Sequence, residues 1–148
     1  MVTQKKKKIK KIAQIKVDES NIINVLQEAE NIVLNTVYIT ENSEQPITLE
    51  VNAGPVGQTS DMTITLDQQI IADEIAGDFP ATVIGSNNGL KGKTLRIVAT
   101  IADTSKKTNI TSLKIHLKGG AEAIEFPLSK TVESQGASAD YICKFKFL

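Results

Sequence analysis

Isoleucine, valine and threonine supply 43 of the 148 residues, and they gather in short runs that alternate with polar positions. Such side chains are stiff at χ1 and pack well on a pleated surface, so this chain is set for strands. The alternation is clearest late in the sequence. Segment 110–118 (ITSLKIHLK) puts Leu113, Ile115 and Leu117 on one side. Segment 139–148 (ADYICKFKFL) does the same with Tyr141, Cys143, Phe145 and Phe147. Segments 47–51 (ITLEV) and 62–66 (MTITL) alternate too. Two segments, 32–40 (IVLNTVYIT) and 94–102 (TLRIVATIA), are apolar on both sides, and the second reads as a central strand.

Punctuation between these runs is rich in turn formers. Gly119-Gly120 marks a hairpin whose return strand begins with Ile124, Phe126 and Leu128. Pro127 lacks an N–H, so that strand is expected to be a sheet edge or to end there. Segment 82–90 (TVIGSNNGL) ends in turn residues, and 68–78 (QQIIADEIAGD) reads as a helical turn or irregular loop. The sum is an all-β chain, an antiparallel β-sandwich or jelly roll of about seven to eight strands.

The N-terminal part is of another kind. Residues 1–8 are a polar basic tail, and 9–17 could extend as a strand. In 18–31, Ile22, Leu26, Ala29 and Val33 keep helical spacing, and Asp18 or Ser20 could cap a short helix near residues 19–30; a strand is the alternative. No linker or repeat divides the rest, so the expected organisation is a basic arm over 1–16 and one sandwich domain over 17–148.

Several functions are disfavoured by residue type. One Cys, Cys143, excludes an internal disulfide, and with the lone His116 it leaves a zinc site two ligands short. Cys143 sits among core-like aromatics, so it reads as a buried thiol. His116 shares its side of the strand with Lys114 and Lys118, so it reads as an exposed histidine on a basic face. With no Trp, and Tyr38 and Tyr141 both on apolar segments, a sugar-stacking platform is not expected. Asn87–Thr94 (NNGLKGKT) approaches a phosphate-binding loop, but Asn87 replaces the first glycine and a strand follows where a helix is required. It reads as a glycine-rich hairpin loop. Asp73, Glu74 and Asp78 share the expected loop and are candidates for Ca²⁺ through oxygen ligands. No cofactor, catalytic constellation, secretory signal or membrane span is read, so an intracellular or particle-associated chain that is not an enzyme is expected.

The order of charges carries the functional expectation. Seventeen basic and seventeen acidic residues cancel. Yet residues 1–16 hold Lys5, Lys6, Lys7, Lys8, Lys10, Lys11 and Lys16 with no acid, whereas residues 17–90 hold twelve acids and no base. Residues 91–148 carry ten bases and five acids. The Lys-rich arm could meet nucleic acid, but lysine lacks the bidentate fork suited to phosphate. Docking on an acidic surface of a neighbour fits better. In layout only, a basic arm before a sandwich resembles many viral capsid and phage accessory subunits. The expectation is a structural or assembly subunit acting through protein contacts, such as a phage virion or tail component. The alternative is a ligand- or Ca²⁺-binding module using the acidic loops.

Overall fold

Alternation builds nine strands in the computed structural model, which describes residues 30–54, 58–103 and 109–148. In chain order they are β1 (Glu30–Tyr38), β2 (Pro46–Ala53), β3 (Gln58–Leu66), β4 (Gln69–Ile75), β5 (Phe79–Ser86), β6 (Thr94–Asp103), β7 (Ile110–Lys118), β8 (Ile124–Thr131) and β9 (Ser138–Phe147). A single helical turn, α1 (Asn87–Leu90), lies between β5 and β6. The strands form a five-stranded sheet ordered β1-β9-β6-β3-β4 and a four-stranded sheet ordered β5-β2-β7-β8. The expected all-β sandwich is therefore the fold of the described residues.

Each sheet turns one set of alternate residues inward. Leu95, Ile97, Ala99 and Ile101 of β6 and Tyr141, Cys143, Phe145 and Phe147 of β9 are wholly buried. Ile47, Leu49 and Val51 of β2 and Leu113, Ile115 and Leu117 of β7 meet them from the other sheet. Burial of each Leu, Ile, Val or Phe among them contributes about 1.5–3 kcal/mol. Phe126 of β8 contacts Phe145 of β9 edge to face at 5.1 Å, tying the two layers together.

One buried polar pair also crosses the layers. Thr111 of β7 donates its hydroxyl proton to the Lys130 carbonyl at 2.8 Å, so the Tyr141 hydroxyl, 2.7 Å away, must donate to Thr111 Oγ1. Burial pushes the Tyr141 phenol above its ordinary pKa, and it does the same to Tyr38.

The C-terminus closes the five-stranded sheet. Leu148 N–H donates to the Tyr38 carbonyl, and the Leu148 carbonyl accepts from Thr40 N–H. Two bonds straddling Ile39 in this way are the parallel pattern, so β1 and the chain end run in the same direction there. β6 lies between β9 and β3, as its two-sided apolar content implied. β8 is an edge strand and runs through Pro127 to Thr131, the first of the two outcomes open to a strand with that proline.

Three expectations are corrected. Residues 69–75 are a strand, not a loop or helical turn, and β4 brings the strands among the described residues to nine, beside the about seven to eight expected. A two-residue turn at Asp67-Gln68 makes the β3–β4 hairpin, with Asp67 at φ 53° and its carboxylate accepting from Thr94 N–H at 2.9 Å. Second, Asn87–Thr94 is not a hairpin loop. It carries the chain from β5 in one sheet to β6 in the other, with Ser86 Oγ capping α1 by accepting from Gly89 N–H. Third, residues 30 and 31, where the alternative helix would have ended, are strand. The rest of that segment, the possible strand at 9–17 and the arm with Lys5, Lys6, Lys7, Lys8, Lys10, Lys11 and Lys16 lie outside the described residues.

Candidate interaction surface

The residues that alternate outward on the five-stranded sheet line up in rows, because register sets which neighbours share a face. Asp140, Thr100 and Asp61 stand side by side on β9, β6 and β3. Two residues along, Ile142, Val98 and Thr63 form the next row. Two further along come Lys144, Arg96 and Thr65, extended by Ile70 on β4. Lys146 stands beyond them and donates to the Gly92 carbonyl at 2.8 Å. The face thus runs from an acidic row to a basic row through a middle row that is apolar at Ile142 and Val98 and ends at Thr63, whose hydroxyl donates to the Asp73 carboxylate on β4. Asp140 is held by the Thr100 hydroxyl at 2.7 Å. Among the described residues neither Arg96 nor Lys144 has an ion-pair partner.

Apolar exposure concentrates on the same sheet. Val33, Val37 and Ile39 project outward along or just beyond β1, and Val33 is 62% exposed. Leu148 is exposed beside Ile39, and Ile70 is 58% exposed on β4. Val83 and Ile110 are the large exposed apolar residues on the other sheet. Scattered exposed aliphatics are ordinary on a protein surface, but their gathering on one sheet and its two edges makes this sheet the candidate contact surface.

The four-stranded sheet presents a polar strip instead. His116 pairs across strands with Glu50 on β2 and Glu125 on β8. Its Nε2 lies 3.3 Å from Glu125 Oε2, and Lys114 Nζ lies 3.8 Å from the same oxygen. The basic face expected around His116 is corrected: its cross-strand neighbours are carboxylates, and it is 25% exposed. His116 points outward while Cys143 is in the core, so the two are not brought together.

Other candidates are placed as follows. Asp73 and Glu74 lie on β4 rather than in a loop, and only Asp78 is in the connection to β5. Asp73 accepts from the Thr63 hydroxyl at 2.9 Å, and Asp78 accepts from Ala53 N–H at 2.8 Å. Among the described residues no three His, Cys, Asp or Glu side chains are grouped to hold a metal ion. Tyr38 and Tyr141 are buried, so neither offers a ring for stacking. Among the described residues no helix is long and apolar enough to cross a membrane.

Cys143 is fully buried, and desolvation pushes its thiol up to about 12. A maleimide or disulfide reagent should therefore leave the native protein unmodified near neutral pH and label it only on unfolding. The pH effect has a definite sign. A thiol with a raised folded pKa stabilises the fold fully below about pH 9, its ordinary value, and progressively less as pH rises toward 12. Cys143→Ala should therefore flatten the alkaline fall in urea midpoint, leaving the part due to the two tyrosines. An unchanged slope would show that the thiol is ionised equally in both states.

The acidic and basic rows could not be read from the sequence, because each is assembled from strands dozens of residues apart. The signal that existed was the parity of Arg96 with Val98 and Thr100, and of Asp140 with Ile142 and Lys144. No family model, curated protein or solved structure matches this chain.

Proposed function

We propose that this chain is a non-enzymatic subunit of a larger assembly, acting through protein–protein contacts, of the kind that builds phage virions or tails and is particle-associated. The observation that carries the reading is the outer side of the five-stranded sheet, where five of the seven large exposed apolar side chains lie among the described residues. Interfaces place apolar groups at their centre and charge around them. Among the described residues the two edge strands, β1 and β4, have a neighbour on one side each, which leaves backbone that a second copy can meet.

In this reading the arm, residues 1–16, docks on the acidic rim of a neighbouring copy. Asp73, Glu74 and Asp78 are all exposed at the β4 edge and belong to the long stretch without a basic residue. Seven lysines facing such a rim steer encounter and set orientation. Exposed charges are screened from one another beyond about 10 Å at 0.1 M salt, so assembly should weaken as salt rises.

Deleting residues 1–16 should shift self-association to higher protein concentration, by roughly tenfold for each 1.4 kcal/mol that the arm contributes to binding. The triple variant Asp73→Asn, Glu74→Gln, Asp78→Asn should reproduce the shift, since the amides keep the acceptor oxygens toward Thr63 and Ala53. Light scattering against concentration reads both. Association unchanged by the deletion at low and high salt would remove the arm from the account.

A further inference from the structure

We infer that the outer face of the five-stranded sheet is a self-complementary interface, and that its occupant is the same face of a second copy. The inference rests on the assembly reading above and adds the partner, the surface and the symmetry.

The argument is geometric. Strand residues rise about 3.3 Å each, so the acidic row (Asp140, Thr100, Asp61) and the basic row (Lys144, Arg96, Thr65) lie about 13 Å apart. The middle row, Ile142, Val98 and Thr63, lies midway between them. A symmetric dimer that buries this face needs a two-fold axis in the plane between the two copies' sheets. If that axis ran along the strands, acid would meet acid and base would meet base. If it runs across them, along the middle row, each acidic row meets a basic row. Lys144 then faces the second copy's β9 carboxylate, and Arg96 lies over its Thr100, flanked by the carboxylates at positions 61 and 140. Val98 and Ile142 pack on their own symmetry mates. Like charges opposed across an interface cost several kcal/mol, so the charge pattern selects one of the two arrangements. Sheets pack face to face about 10 Å apart, which the short outward side chains of the middle row allow.

The pattern also supplies what each copy lacks. Arg96 and Lys144 have no ion-pair partner among the described residues of their own chain. Each finds one in this arrangement, and every pairing is made twice.

The test uses two charge-reversed full-length chains. One is Arg96→Glu with Lys144→Glu, which makes both charged rows acidic and leaves only Lys146 beyond them. The other is Asp61→Lys with Asp140→Lys, which makes both charged rows basic and leaves only Asp73 at the β4 edge. All four positions point outward, and circular dichroism checks that the variants fold. Sedimentation equilibrium should show each variant associating through this face roughly tenfold or more weakly than wild type. An equimolar mixture should form a heterodimer, because both halves of the interface are restored. Wild-type-like association of either variant alone, or no recovery in the mixture, overturns the inference. A second probe does not depend on charge. Val98→Cys sits on the axis, so a short bismaleimide should link two copies, whereas Thr48→Cys on the opposite sheet should not be linked; equal linking of both, or of neither, overturns it. The two levels fail differently. If wild type associates and charge reversal does nothing, the face is wrong and assembly stands. If wild type never associates, both fail.

Discussion

Replacing Gly119 by alanine is expected to lower the stability of the sandwich by about 3 kcal/mol or more. Gly119 has φ 105°, a conformation that L-residues rarely adopt, and a Cβ there would overlap the Pro46 carbonyl oxygen of β2. Neither backbone can retreat, because the turn follows directly on β7, whose neighbour in the sheet is β2. Gly92 provides the comparison. Its φ is 89°, yet a Cβ there meets nothing within 4 Å. Gly92→Ala therefore carries the conformational strain alone, and the difference between the two urea midpoints isolates the overlap. Equal losses would mean that the turn relaxes freely away from β2.

Asn87→Ala should cost about 2–4 kcal/mol. Asn87 is fully buried, and its side chain satisfies three backbone groups that have few alternatives. Its Nδ2 donates to Gln45 O at 2.8 Å and Gly119 O at 2.9 Å, and its Oδ1 accepts from Glu41 N–H at 2.8 Å. One amide thus binds the loop after β1, the turn after β7 and α1 into one end of the sandwich. Asn87→Asp keeps the acceptor but turns the donor against two carbonyl oxygens in a buried place. Its carboxyl should have a raised folded pKa, so the loss should be full at neutral pH and should shrink as acid protonates it. Because Gly119 O is one of the acceptors, losses at positions 87 and 119 should not add. The consequence reaches the proposed interface: Asn87 anchors the loop that leaves β1, the strand bearing Val33 and Val37.

Where alternation is regular, the fold is legible. In β7 and β9 each apolar residue assigned inward is buried, the two-sided β6 is central, and β8, the strand with Pro127, is an edge. Alternation fails at β4, and with it the reading of 69–75. Glu74 adopts φ 54°, and the register with β3 shifts between Met62 and Ile64 and again before Thr65. Such bulges break the period of two that identifies a strand. The Asp67-Gln68 turn also lacks the glycine that usually marks a hairpin. The surface was less legible than the core, for a related reason. Parity along one strand says that Arg96, Val98 and Thr100 share a side, but not what stands beside them. His116 shows the limit: the lysines beside it in sequence suggested a basic face, while the register places Glu50 and Glu125 across from it. The candidate interface is a product of register, assembled from β3, β6 and β9.

The central claim is that this chain works by associating with copies of itself, and the mass of the full-length chain in solution tests it most directly. Sedimentation equilibrium over a range of protein concentrations, at low and at high salt, should give a mass above the 16.0 kDa of one chain that falls toward it as salt rises. A mass of 16.0 kDa at every concentration and both salt levels would contradict the account.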